Sequence, residues 1–263
     1  MNTSEVLFTI FNYKENANAE QLYKIISPYF PCYILDADSG TRPQSFGGRT
    51  IYLPNVYYGG LLHKAIELTQ MEGYTFLFLI CSDVIIKEAQ FLSLRHILSE
   101  EDFSDVAIYS PCHMNQSYTL VQWGYDQKKN KKRIVPFVEG MISMLHKDIL
   151  KYLYPCKDNN FGWGFDICAA YCARKMQKKM YIDDRIQVYH PMGDTSKNEV
   201  AGKCALRYID TLTDAKQIRE YWHWIYIYRL NKSANILLLK HYKFWCSFFY
   251  KLRKVFPNCG YKF

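Results

Sequence analysis

The sequence has no phosphate-cradling glycine loop of the GxxxxGK[ST] or GxGxxG kind, so nucleotide binding by those two devices is excluded. It is poor in glycine and proline, with 13 and 9 in 263 residues, which excludes collagen-like and low-complexity chains. Its nine cysteines are thinly spread and odd in number, unlike a secreted disulfide scaffold, and a reducing compartment is expected. No stretch reaches the ~18 uninterrupted apolar residues of a membrane span. The tail's apolar runs are broken by Lys240 and Lys243. The opening residues carry Glu5 and no basic residue before the short run Val6–Phe11, so they read as a first buried strand rather than a secretory leader. Acids are absent from the last 43 residues. Those residues hold eight of the 33 Lys+Arg, so the formal charge of +8 sits wholly in the tail, and the first 220 residues carry 25 charges of each sign.

What is present is a large apolar fraction, 49% hydrophobic and 17% aromatic, enough for a sizeable core. Val6–Phe11 is apolar and ends in polar residues. A helical spacing follows at Leu22, Ile25 and Ile26, then a second apolar run, Cys32–Leu35, which ends at Asp36, Asp38 and Gly40. The spacing of Leu61, Leu62, Ala65, Ile66 and Leu68 predicts a helix over 57–73, and Tyr74–Ile80 reads as a strand buried on both faces. Strand and helix alternate, which argues for βαβ units and a mostly parallel sheet. Such sheets bind ligands at the carboxyl ends of their strands, where Asp36, Asp38 and Asp83 all fall. Further on, strands are expected at 118–124, 134–138, 141–145, 180–182 and 186–189, and a helix from Asp166 to about Lys178. The basic run 128–133 reads as a solvated loop.

Several residues could carry chemistry. Asp83 ends the apolar strand FLFLICSDVII, where a carboxylate can hold a divalent ion against a diphosphate; with Ser82 it equally suits a helix cap. In NNFGWGFD (159–166) two glycines flank a tryptophan, and Asp166 opens a helix whose dipole favours its ionised form. That carboxylate fits a general base for a hydroxyl, or an ordinary helix start. His190, before Pro191, could join Asp83 as a metal ligand or be structural. Asp183-Asp184, among Lys178, Lys179 and Arg185, is either functional or a solvated salt-bridged turn. Cys168 and Cys172 share a helix face without a second pair at zinc spacing.

In order and spacing, FTIFNYKEN (8–16), ILDADSG (34–40), NVYYGGLLHKAIE (55–67), FLFLICSDVII (76–86), VEGMISMLHKDIL (138–150), GWGFD (162–166) and KKMYIDDRIQVYHP (178–191) resemble the GT-A nucleotide-sugar glycosyltransferases, bacterial family 2-like enzymes among them. The resemblance implies a Rossmann-like α/β domain over 1–205, with a mixed, mostly parallel sheet flanked by helices. A helical, basic and aromatic extension would span 206–263. It implies donor contacts from Phe11, Asn12, Tyr13, Asp36, Asp38, Asn55, Gly60, Ser82 and Asp83. Acceptor contacts would come from Glu139, Gly140, Gly162, Trp163 and Gly164. Asp166 would be the catalytic base, and a divalent metal (Mn²⁺ or Mg²⁺) would sit on Asp83 and His190. Cys81 stands where relatives carry the first acid of their metal motif.

The implied reaction moves a sugar from a nucleotide-sugar donor to a glycan or lipid-linked glycan of lipopolysaccharide, O-antigen or capsule type; a base opposite the leaving group implies inversion, and GT-A folds also host retention. The tail 221–263, aromatic and basic, would lie on an anionic membrane surface at the cytoplasmic inner face, or else be a helical appendage that packs its aromatics on the domain, and no nucleic-acid partner is expected. Two rivals remain. One is an inactive α/β domain that binds membrane or nucleic acid. The other is a sugar nucleotidyltransferase, although the stretch after the first strand, FNYKENANAE, lacks the glycine-rich loop of that class.

Overall fold

The structure is a computed structural model that describes residues 3–37, 40, 49–114, 131–156, 159–191 and 199–230. Eight strands form one sheet: β1 (Val6–Asn12), β2 (Cys32–Ala37), β3 (Thr50–Leu53), β4 (Phe76–Cys81), β5 (Val106–Met114), β6 (Lys132–Ile134), β7 (Ile142–His146) and β8 (Lys179–Tyr189). The helices are α1 (Asn16–Ile26), α2 (Tyr57–Met71), α3 (Glu88–Glu100), α4 (Lys147–Leu153), α5 (Phe165–Lys175), α6 (Glu199–Thr211) and α7 (Ala215–Leu230). The strand order is β3-β2-β1-β4-β7-β5-β8-β6. The first four strands are mutually parallel, β7 inserts antiparallel between β4 and β5, β8 runs parallel to β5, and β6 closes the edge antiparallel.

The period of two along β1 divides the core. Val6, Phe8 and Ile10 face one side, with α1 and α3; Leu7 and Phe11 face the other, with α2, α4, α5, α6 and α7. Every residue of β1 is buried, which is why the strand shows no polar alternation in sequence. On the first face Phe8 stacks on Phe78 at 4.5 Å and meets Phe30 and Phe91. Full burial of each such side chain stabilises the fold by about 1.5–3 kcal/mol.

Three sequence expectations are corrected. The pieces 180–182 and 186–189 are one strand, β8, with its register against β5 shifted between Pro111 and Cys112; a bulge preserves the pairing across a break in the apolar pattern. Within it Asp183 and Asp184 are buried rather than solvated. Arg185 and the Tyr109 hydroxyl bond Asp183, and Arg133 bonds Asp184. Finally, Lys132 and Arg133 belong to β6, where Lys132 pairs with Glu101, so the end of the basic run is a strand and not a loop; 134–138 is correspondingly a buried connection beyond Ile134.

The expected strand 118–124 lies outside the described residues, as do 126–130 of the basic run. The division between 205 and 206 falls inside α6. Ala205 and Tyr208 join the same core as the sheet, and the Tyr208 hydroxyl donates to the Leu153 carbonyl at 2.7 Å. From α7, Tyr221, Trp224 and Ile225 are buried in that core too, and the Tyr221 hydroxyl bonds the Pro136 carbonyl. These tail aromatics therefore serve the domain rather than a surface. Residues 231–263, with most of the tail's charge, lie outside the described residues.

Candidate functional site

The parallel register brings the strand ends together. Asn12 pairs with Asp36, and Phe11 with Cys81. The Asn12 amide donates to Asp36 Oδ1 at 2.8 Å and to Asn16 Oδ1 at 2.7 Å, while its own Oδ1 is buried without a partner. A buried acceptor left open at a strand end is a place for a ligand donor. Phe11, expected at the nucleotide, is only 4% exposed: its ring packs edge-on against Tyr58 at 5.4 Å and faces the core. Tyr13 is exposed on the rim. Asp38 lies outside the described residues.

After β4 the chain turns at Ser82-Asp83. Ser82 is buried, its amide bonded to the Phe11 carbonyl at 2.8 Å. Asn18 of α1 clamps this turn by donating to the carbonyls of Ser82 (2.5 Å) and Val84 (2.9 Å). Nothing in the sequence marked Asn18 for this. Reciprocal backbone bonds between Ile85 and Tyr189, 2.8 and 3.1 Å, bring the end of β8 to the same turn. His190 Nε2 thereby stands 3.1 Å from Asp83 Oδ2, so the two expected metal ligands are neighbours, and Asp83 Oδ1 is buried without a hydrogen bond.

Those two residues fit a divalent ion as part of its shell. Two donors about 2.1 Å from an octahedral ion stand about 3.0 Å apart, close to the spacing seen. Among the described residues no third His, Cys, Asp or Glu completes a protein cage. The other positions would fall to water and diphosphate oxygens, the usual arrangement for Mg²⁺. Cys81, at the position of the missing acid, keeps its proton: burial first, then the Asp83 carboxylate, pushes its thiol well above the ordinary value.

The second half of the site is built around Tyr58, which sequence reasoning missed; its one signal is an aromatic directly before a glycine pair. Tyr58 donates to the Gly140 carbonyl at 2.6 Å. A Cβ on Gly162 would lie 2.2 Å from Cδ1 of its ring, and Gly162 has φ +75°, so a side chain there is excluded twice over. Gly59 is equally constrained: its amide bonds the Asn160 carbonyl at 2.7 Å, and a Cβ would meet the Asn159 carbonyl oxygen at 1.9 Å. The Asn159 amide then donates to the Trp163 carbonyl at 2.7 Å. The first turn of α2 and the loop 159–164 are thus stitched into one wall. Gly60 lies against Val56, and the Asn55 side chain accepts from the Tyr57 amide at 3.3 Å, so both shape the start of α2.

Asp166, in the first turn of α5, accepts from the Ile167 amide at 2.8 Å. The dipole was expected to favour its ionised form. Burial outweighs it and the backbone bonds, and raises the carboxyl from 3.8 to about 6. Glu139 is 6% exposed, its Oε2 has no partner, and burial, then the Asp166 charge, hold its carboxyl well above the ordinary value. Near neutrality this end of the site offers an ionised Asp166, beside a Glu139 carboxyl that holds its proton more tightly than an ordinary one. Tyr58, Gly140, Ser143 and Asp166 are among the walls of a cavity of about 20 Å³. That holds about one water and is too small for a sugar ring. Trp163 is half-buried, and Gly164 (φ +84°) starts α5 against Ala205.

No protein-family model and no curated protein matches the chain in sequence. Solved structures match it in fold. GalNAc-T7, crystallised with UDP, GalNAc and Mn²⁺, superposes with a TM-score of 0.58 at 11% identity, covering 89% of this chain and 52% of its own. S. aureus TarS 1–349 in complex with UDP gives 0.52 at 13% identity, over 83% and 71%. S. aureus TarS gives 0.54 at 10%, over 84% and 43%. The chain spans about half the length of GalNAc-T7. At these identities the likeness concerns the fold, and the fold is GT-A, a mixed sheet flanked by helices as the resemblance implied.

Proposed function

We propose that this GT-A domain is a nucleotide-sugar glycosyltransferase that moves a hexose to a glycan hydroxyl. The observation that carries the reading is Asp166: a carboxylate poised by burial near 6, beside a water-sized cavity, in a fold shared with GalNAc-T7 and TarS 1–349, both crystallised with UDP. A base so poised is ionised at neutral pH yet retains useful proton affinity.

In this reading Asn12 and Asp36 receive the base and ribose of the donor, and Asp83 and His190 face its diphosphate. A divalent ion held there would supply positive charge for the leaving diphosphate. Asp166 takes the proton from the acceptor hydroxyl as that oxygen attacks the anomeric carbon, and the bond to the diphosphate oxygen breaks on the opposite face, which inverts the configuration. Burial and the Asp166 charge oppose a second negative charge on Glu139 beside it. We further propose an acceptor of lipopolysaccharide, O-antigen or capsule type and a site of action at the cytoplasmic membrane face. The support is the basic, acid-free 231–263, since Tyr221 and Trp224 are taken up by the core. No helix among the described residues is long and apolar enough to cross a membrane.

The test is turnover of UDP-, GDP-, CMP- and dTDP-sugars with and without Mn²⁺, with water or added glycosides as acceptor. Turnover with one nucleotide class, lost in Asp166→Asn, is expected. Donor binding without turnover in any combination would instead identify an inactive domain, the reading kept alive by Cys81.

A further inference from the structure

Three consecutive residues open α2, and they divide. Val56 and Tyr58 pack against the core, whereas Tyr57 between them points outward, 47% exposed, with φ +51°. A left-handed backbone is rare for a bulky aromatic residue and costs free energy, so it persists where the surroundings impose it or function retains it. Here the Asn55 side chain accepts from the Tyr57 amide, and Gly59 locks the next turn to the loop 159–164. The ring of Tyr57 meets Phe161, centroids 5.3 Å apart and planes inclined by 35°. Phe161 belongs to neither core cluster. Two aromatic rings thus stand outside the core on the wall that holds Tyr58 and leads to Asp166, at a point where the fold gains little from them.

We propose that Tyr57 and Phe161 form a stacking platform for a pyranose ring, a subsite of the glycosyltransferase reading on which it rests. A pyranose has one face of axial C–H groups, weakly positive and apolar, which suits the negative face of an aromatic ring, while its hydroxyls remain at the edge for polar partners. The two rings touch at a tilt of 35° and leave no parallel slot between them for a flat base. The base also has its own place, the open acceptor of Asn12 at the ends of β1 and β2. Phe161 directly precedes Gly162 on the loop that leads to Asp166, so in this reading the occupant is the reacting sugar, whether carried by the donor or belonging to the acceptor.

Saturation-transfer-difference NMR on the full chain tests this with methyl glycosides of glucose, galactose, GlcNAc and GalNAc, and separately with their UDP-sugars. The wild type should saturate the ring C–H protons of one face in at least one probe. Tyr57→Gly and Phe161→Ala should reduce that signal at least fivefold, and Tyr57→Phe should keep it. Because glycine suits φ +51°, Tyr57→Gly should melt no lower than the wild type, which separates binding from structure. A signal in the methyl glycosides assigns the platform to the acceptor, and one confined to the hexose of UDP-sugars assigns it to the donor. Equal signals in wild type, Tyr57→Gly and Phe161→Ala, no saturation of any probe, or a melt lowered by several degrees in Tyr57→Gly would each overturn the platform. Binding of UDP, GDP, CMP and dTDP measured calorimetrically on the same proteins reports separately on the underlying reading: no binding of any of them by the wild type would sink that reading, while stacking stands or falls on the NMR.

Discussion

Replacing Asp166 by Asn should make the protein inactive and more stable at once, and the size of both effects follows from where the carboxylate sits. Its folded value of about 6 lies above the ordinary 3.8, so the folded state holds the proton more tightly than the unfolded chain. Stability therefore falls as pH rises from about 4 through 6 and levels off above. Multiplying the rise by the 1.36 kcal/mol of one pH unit gives an upper bound of about 3 kcal/mol. Asp166 is partly exposed, and Asn keeps the acceptor for the Ile167 amide but adds a donor that needs a partner, so a gain of about 1–3 kcal/mol is expected.

Thermal melts of wild type and Asp166→Asn at pH 4 and pH 7.5 read this directly. For a chain of this size each kcal/mol is worth about 2–4 °C. The difference should be present at pH 7.5 and absent at pH 4. In parallel, wild-type turnover should fall about tenfold from its plateau by pH 5, and the variant should lose about 10²–10⁴-fold at pH 7.5. An equal gain at both pH values, or a turnover profile flat to pH 5, would refute a buried, titrating Asp166.

Other expectations concern the rest of the wall and the tail. Gly59→Ala must push the Asn159 carbonyl away and break the bond to Asn160, and urea unfolding should show a loss of about 2–4 kcal/mol from overpacking plus the broken bond. Asp83→Ala and His190→Ala should each raise the Mn²⁺ concentration for half-maximal turnover at least tenfold, and the double variant should do little more than either, because the pair acts together. Deleting 231–263 should abolish sedimentation with phosphatidylserine vesicles and leave donor hydrolysis intact. Deleting from Tyr221 should instead unfold the domain, since Tyr221 and Trp224 are core residues.

β1, β2, β4, α1 and α2 follow from apolar runs and helical spacing, because burial on both faces of a strand leaves an uninterrupted signature in sequence, whereas α3, β5 and the short, partly exposed β3 were not legible in it. Where pairing is irregular that signature fails. The shifted register of β8 interrupts its apolar pattern with Asp183-Asp184-Arg185, and β6 hides within a run of basic residues whose charges are neutralised by Glu101 and Asp184 from elsewhere in the chain. In the site, Asp83, Asp166 and His190 were legible because strand and helix ends announce them. Tyr58 and Asn18 were not, since what each does depends on a partner 64 to 104 residues away: Tyr58 on Gly140 and Gly162, Asn18 on Ser82.

Hydrogen bonding separates the acids that sequence alone could not rank. Asp183 has the Tyr109 hydroxyl and both ends of Arg185, and Asp184 has two nitrogens of Arg133. Acids so fully met need nothing from a ligand, and they are buried in the middle of a strand. Among the described residues the buried carboxylate oxygens without a partner belong to Asp83 and Glu139. Leaving such an atom unmet costs about 1–3 kcal/mol. Neither has an evident structural use for that cost: Asp83 is already fixed by the turn clamped by Asn18, and Glu139 by the Gly140 carbonyl bonded to Tyr58. Both open atoms lie where the fold leads a ligand, one beside His190 and one beside Asp166. Filling them is the work a bound donor and acceptor would do, and it follows that ligand binding should stabilise this end of the sheet while leaving the Asp183–Arg185 network unchanged. Hydrogen exchange with and without UDP-sugar tests this: new protection should gather at 81–85, 139–141 and 162–167, and protection at 109 and 183–185 should not change.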